Sequence, residues 1–136
     1  MFMLGKRAFF KKKVTDIVKR GSGVNGKLGY GGVENIREPT VLEGFKIASE
    51  YGMKVKEIAC GESHTLAIVE ENAEGDKKQR IFVWGYGKNW QLGLSSDLTE
   101  SMHEPHQLDP DPFDGEVLHV FAAHNYSCAI SQKGEV

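Results

Sequence analysis

The sequence predicts an all-β protein, a partial β-propeller of about two four-stranded blades that is not closed on its own. Three observations carry this. The block Gly21-Ser22-Gly23-Val24-Asn25-Gly26-Lys27-Leu28-Gly29 returns as Gly85-Tyr86-Gly87-Lys88-Asn89-Trp90-Gln91-Leu92-Gly93, with five of nine positions identical at an offset of 64 residues. A second block, Val55–Ile68, returns as Val117–Ile130 at an offset of 62. Short β-prone runs bounded by turns lie between the blocks. A repeat of this length fixes the architecture, because each unit buries its faces against its neighbours.

The elements follow in order. Val55–Ala59 is strand A, apolar at 55 and 58, and ends in the small-residue turn Cys60-Gly61-Glu62-Ser63. Thr65–Val69 is strand B, and Glu70 to Arg80 reads as a polar connection. Ile81-Phe82-Val83-Trp84 is strand C, and the glycine block leads to strand D at a proline, Pro39–Leu42 or Pro105–Leu108. Gly21, Gly23, Gly29, Gly85, Gly87 and Gly93 stand where strand C hands over to strand D, a reversal that needs positive φ or close backbone approach. Leu28 and Leu92 are expected to point inward as plugs between blades. Val14–Val18 precedes Gly21 as Ile81–Trp84 precedes Gly85, which places a strand C there. A helix is the competing reading, because Phe10, Val14, Ile17 and Val18 follow helical spacing. The expected organisation is a basic arm over 1–13 and repeats over 14–136.

Charge divides the chain the same way. Residues 1–20 carry seven basic groups and one acid, a balance of +6 within a total of −2, so the remainder carries −8. An acidic body is a poor phosphate-binding surface, and no nucleic-acid signal stands outside the basic leader. The leader reads as a presequence, a surface-binding arm or a start segment, and Lys11-Lys12-Lys13 as a weak nuclear signal. No apolar run approaches the roughly 20 residues that span a bilayer. Cys60 and Cys128 fall at non-equivalent repeat positions, which argues for free thiols in a reducing intracellular compartment. Nucleus or cytoplasm is the expected location, with the mitochondrion as the alternative reading of the leader.

The turn Cys60-Gly61-Glu62-Ser63-His64-Thr65, the step Trp84-Gly85-Tyr86-Gly87 and the step Asn89-Trp90-Gln91-Leu92-Gly93 together resemble the regulator-of-chromosome-condensation repeat. The resemblance covers roughly residues 14–136. It implies a β-propeller, usually of seven blades, and a guanine-nucleotide exchange factor for a Ran-type small GTPase as one activity. The sequence departs from the family pattern at Trp90, where Gly is usual, at Lys27, where Gln is usual, and at Ala122–Ser127, where the turn lacks its Gly and has Tyr126 for His. A Trp at that tight turn is expected to change its geometry. Two blades leave inter-blade faces uncovered, so the chain is expected to be a fragment, a split piece, or a self-associating or partner-dependent unit.

Candidate chemistry is sparse. Cys60 and His64, or His103 and His106, do not make the four convergent ligands of a zinc site, and Gly61, His64, Trp84 and the glycine block have a repeat-level explanation. The ring of His64 is expected to hydrogen-bond backbone across its own turn. Gly85-x-Gly87 is followed by a strand, not the helix a dinucleotide site requires. No catalytic set, cofactor or metal is expected. The loops offer more. Asp109, Asp111 and Asp114 surround Phe113, a pattern that suits a basic partner surface with an apolar anchor, and Glu70, Glu71 and Trp90 are further partner-binding candidates. The expected function is a protein–protein interaction or scaffold module, with nucleotide exchange on a small GTPase as the alternative. The partner is another protein, a GTPase or the chain that supplies the missing blades.

Overall fold

The alternation of side chains along the strands sets the architecture. In the second repeat, Ala67 and Val69 point to one core and Leu66 and Ile68 to another. A strand that is apolar on both faces must lie between two layers. The computed structural model describes residues 2–4, 8–13, 16–45, 52–73, 76–94, 100–109, 113 and 116–136. It contains three antiparallel sheets in chain order.

The first sheet runs β1 (Phe2–Leu4), β2 (Ala8–Lys13), β3 (Asp16–Gly21) and β4 (Ile36–Val41), each paired with the next. The second runs β5 (Met53–Cys60), β6 (His64–Ala73), β7 (Asp76–Gly85) and β8 (Met102–Gln107). The third pairs β9 (Val117–Ala123) with β10 (Tyr126–Ser131). The fold is thus mostly strand, unclosed, and organised as repeated blades.

Two expectations change. Residues 2–4 and 8–13 are strands, not an arm: β2 pairs with β3 over six registered positions, from Ala8↔Gly21 to Lys13↔Asp16. The physical reason is that β3 has backbone donors and acceptors on both edges, and the Phe-rich stretch before it satisfies one of them. The same pairing excludes the helix read over Phe10–Val18. Lys19 belongs to this sheet and is 4% exposed. Its ammonium donates to the Val41 carbonyl at 2.9 Å and lies 5.4 Å from the Tyr30 ring centroid. Burial lowers its pKa, and the charge of Glu43 partly offsets this.

The polar stretch Glu70–Arg80 is also largely strand. β6 and β7 continue as a hairpin with Glu70 opposite Gln79 and Glu71 opposite Lys78. Lys77 lies 3.7 Å from Glu70, and Arg80 lies 3.8 Å from Glu71. Cross-strand pairs of opposite charge let a ladder run beyond the apolar core. Between β4 and β5, residues 43–45 are helical.

The first core lies between sheets one and two: Ile17, Leu28, Leu42, Phe45, Val55, Ile58 and Trp84 are all buried there. The second, between sheets two and three, gathers Leu66, Ile68, Ile81, Val83, Leu92, Val117 and Val120. Leu28 and Leu92 are 0% and 2% exposed, each in the core beyond its own glycine block.

Trp84 joins the sheets. It is 0% exposed, and its indole Nε1 donates to the Lys27 carbonyl at 3.0 Å. Its ring lies against Gly29, where an added Cβ would come within 2.7 Å of Nε1. Trp84→Ala is expected to destabilise the chain by about 3–5 kcal/mol in urea unfolding, whereas Trp84→Phe keeps most of the packing and costs about 1 kcal/mol.

Candidate interaction surface

The two glycine blocks adopt one turn. In the first, the Gly26 amide donates to the Gly23 carbonyl and the Gly29 amide to the Gly26 carbonyl, both at 2.9 Å. In the second, Trp90 donates to Gly87 and Gly93 to Trp90, both at 3.0 Å. Gly26 has φ +72° and Trp90 has φ +64°. Trp90 therefore keeps the turn that it was expected to alter, and takes the left-handed conformation itself. That conformation is strained for a large L-residue. Its side chain is 59% exposed.

This turn aims a backbone carbonyl at the next sheet. Thr65 Oγ1 donates to the Lys27 carbonyl at 3.2 Å, and Ser127 Oγ donates to the Gln91 carbonyl at 2.7 Å. Lys27 and Gln91 are equivalent in the repeat, as are Thr65 and Ser127. Side-chain identity at 27 or 91 is immaterial to this bond, because the acceptor is main chain. The Lys27 ammonium adds a bond to the Glu62 carbonyl at 3.3 Å.

His64 reinforces the second junction. Its Nε2 lies 2.9 Å from Ser127 Oγ. Since Ser127 gives its proton to Gln91, its oxygen accepts from Nε2–H, and Nδ1 has no hydrogen-bond partner. The ring thus reaches the third sheet, where a bond across its own turn was expected. Across its own turn the link is main chain, from the Gly61 amide to the His64 carbonyl at 2.9 Å. Gly61 is required here because an added Cβ would lie 2.1 Å from the His64 ring. Burial lowers the His64 pKa to about 4, against a smaller upward pull from the Tyr126 carbonyl. Cys60, next to this turn, is buried, and its thiol pKa is pushed up to about 12. Among the described residues, no cluster of three or more His, Cys, Asp or Glu side chains is placed to hold a metal.

The third sheet presents an apolar side. Ser127, Ala129 and Ser131 face sheet two, so Tyr126, Cys128 and Ile130 face away. Phe121, opposite Cys128, is 51% exposed, and Leu118 and Tyr126 are 39% and 69% exposed. At the junction below, Glu57 Oε2 accepts from the Val120 amide at 3.2 Å and lies 3.3 Å from His119 Nδ1. His124 pairs with Glu62 at 2.6 Å.

The loop candidates divide. Asp109 is exposed, Phe113 is half-buried and packs on the second core, and Asp111 and Asp114 lie outside the described residues. Glu70 and Glu71 are engaged in the hairpin's ion pairs. The Ser127–Gln91 bond joins the chain neighbours of Tyr126 and Trp90, both of which are exposed. Phe121 and Tyr126 went unread in the sequence as surface groups. The signal was available: each is a large aromatic where the preceding repeat has Ala59 or His64.

These repeated features match the Regulator of chromosome condensation (RCC1) repeat over residues 21–68 and 78–130. The chain belongs to this family. Among curated relatives, it is 30% identical over 120 residues to the serine/threonine-protein kinase Nek8 of Danio rerio, covering 88% of this chain and 15% of that protein. It is 28% identical over 122 residues to the ultraviolet-B receptor UVR8 of Arabidopsis thaliana, covering 89% of this chain and 24% of that protein. Among solved structures, Prp20p from Saccharomyces cerevisiae superimposes with a TM-score of 0.68 at 17% identity, over 95% of this chain and 31% of that one. Human WBSCR16 gives a TM-score of 0.64 at 21% identity, over 87% and 27%. Both structural likenesses are of fold. The chain spans less than a third of each of these proteins, and the match to the RCC1 repeat supports a protein-interaction propeller module.

The His64 junction makes folding pH-dependent. In the unfolded chain His64 titrates near 6.5 and in the folded chain near 4, so the fold resists its protonation. Its contribution is complete above pH 6.5 and is lost as pH falls from 6.5 toward 4. The shift corresponds to about 3 kcal/mol, reduced by solvent screening to on the order of 2 kcal/mol. Urea midpoints measured across pH 7 to 4 are expected to fall more steeply for the wild-type chain than for His64→Gln.

Proposed function

We propose that the chain is a non-catalytic protein-binding segment of a β-propeller that presents the outer side of its third sheet to another polypeptide, with the acidic residues Asp109, Asp111 and Asp114 of the sequence as further contacts. One observation carries the reading: Leu118, Phe121 and Tyr126, three large apolar or aromatic side chains, are all exposed on β9 and β10. Large apolar groups clustered on one face mark an interaction surface more often than scattered ones do. The acidic loop suits a basic rim on the partner. Two free thiols suit a reducing compartment.

The test uses Cys128, which lies on that outer side, as a reporter, with buried Cys60 as the internal control. Light scattering of the 136-residue chain is expected to show concentration-dependent association. Alkylation of Cys128 should slow as association proceeds, while Cys60 stays unlabelled until the chain unfolds. A monomer at all concentrations, with Cys128 labelled at one constant rate, would sink this reading.

The second reading is nucleotide exchange, favoured by the likeness to Prp20p, a protein studied for its binding to Gsp1p and histones. The chain spans 31% of that structure, and exchange requires a large surface that opens a nucleotide site. Release of labelled guanine nucleotide from a Ran-type GTPase is expected to stay at its intrinsic rate when this chain is added. An acceleration that weakens on neutralising Asp109, Asp111 and Asp114 would favour exchange instead.

A further inference from the structure

The two junctions between sheets differ at one pair of positions. Lys19 and Tyr30 stand 64 residues before Val83 and Leu94. Lys19 on β3 and Val83 on β7 each pair with the fourth strand of their own sheet, so the equivalence is one of register as well as sequence. Val83 and Leu94 are buried in the second core. At the first junction an ammonium and a phenol ring replace this aliphatic pair, and the ammonium-bearing residue is as buried as the core residues around it. The neighbours keep their character: Leu42 and Phe45 stand where the second junction has Leu108 and Phe113.

The exchange comes with a cavity. A volume of about 400 Å³ lies between the two four-stranded sheets, within the size range of small-molecule sites. Its buried wall is apolar, from Leu42 and Phe45 on one side and Val69 on the other. Met53 and Phe82 of sheet two are half-buried along it. Glu43 and Glu104 are exposed where it opens.

Among the described lining residues, Lys19 is the one cation. An ammonium has three N–H donors. One goes to the Val41 carbonyl, and the Tyr30 ring faces the charge. Among the described residues no second acceptor is bonded to it. Burial lowers its pKa, and the charge of Glu43 only partly offsets this. Burying an ammonium is costly where its pairing is incomplete. A valine would satisfy the fold here, as Val83 does at the next junction. A ligand that brings one negative charge into the cavity stabilises the charged form.

The pattern of charge narrows the class of ligand. A cation would meet Lys19 inside. A phosphate dianion would meet the carboxylates of Glu43 and Glu104 at the opening. One carboxylate on an apolar body matches one buried ammonium on an apolar wall.

We infer that the cavity between sheets one and two is a binding site for a small apolar monocarboxylate, whose carboxylate accepts from the Lys19 ammonium and whose hydrocarbon body packs on Leu42, Phe45 and Met53. Tyr30 is a positioning residue that holds the ammonium through its ring. The ligand touches both sheets, so it binds the folded chain and raises the unfolding temperature with its concentration. This site is separate from the outer side of sheet three.

Octanoate, octanol and octylamine test the inference on the full chain, labelled with carbon-13 at its methionine methyl groups. Octanoate is expected to bind one-to-one and to shift the Met53 methyl signal, which is identified by its loss in Met53→Leu. Octanol should bind about tenfold more weakly, since a hydrogen bond to a charged partner is the stronger kind. Octylamine should bind more weakly still. Lys19→Met keeps the length of the stem and removes the charge, so octanoate should lose about tenfold in affinity while octanol loses none. Equal binding of octanoate and octanol to the wild-type chain overturns the inference without recourse to any variant. So does saturation that leaves the Met53 signal unmoved, octanoate binding unchanged by Lys19→Met, or the absence of saturable binding. None of these outcomes bears on the reading of sheet three.

Discussion

One backbone carbonyl per repeat registers each sheet on the next. In the first repeat it belongs to Lys27, and in the second to Gln91. A hydroxyl of the following second strand, Thr65 or Ser127, donates to it in each case. The carbonyl lies at a sheet junction where water is excluded, so leaving it unmade would cost more than making it gains. The rest is arranged to present it. The left-handed residue at 26 or 90 turns the chain, and Leu28 or Leu92 anchors the turn in the core. Gly29, in the first repeat, clears room for an indole. The lateral slide between sheets, and with it the interdigitation of both cores, depends on this bond.

The strands and turns were legible because their causes are local. Alternation along Thr65–Val69 and Ile81–Trp84, and glycine where φ is positive at Gly21, Gly29, Gly85 and Gly93, can be read from neighbours in the chain. What was not legible depends on partners far away in sequence. The charge of Lys11–Lys13 suggested an arm, but β3 needs a strand at its edge wherever that strand's charges lie. Lys19 entered only as one of seven basic groups in residues 1–20, yet it occupies a buried position and its ammonium donates to the Val41 carbonyl. Glu70–Arg80 looked like a loop because it is polar, and only the register of the hairpin brings Glu70 within reach of Lys77 and Glu71 within reach of Arg80 across the strands. Of the candidate site, Trp90 and Phe113 were named from composition and position, but that Trp90 takes the conformation of Gly26 and Phe113 packs on the second core appears only in the structure.

His64 shows how a repeat residue acquires a particular role. At the second junction it supports Ser127, and its imidazole is buried with Nδ1 unpaired. The third sheet has Tyr126 at the equivalent position, 69% exposed. The imidazole therefore ties sheet two to sheet three, while its equivalent is exposed to solvent. Arrays of this kind are stabilised by neighbour interfaces and not by one central core. Differences between junctions are consequently felt locally, and a change at one side of sheet three leaves the first core intact.

Trp90 is where that independence has a consequence. A glycine at this position would let any following blade close over the turn, as β8 closes over Gly26. The Trp keeps the turn's hydrogen bonds and removes the space above them. Natural interfaces gain specificity by rejecting wrong partners as well as by fitting right ones. The strain of a left-handed Trp is tolerable only because the surrounding turn over-determines it, and such strain is typically held at functional positions.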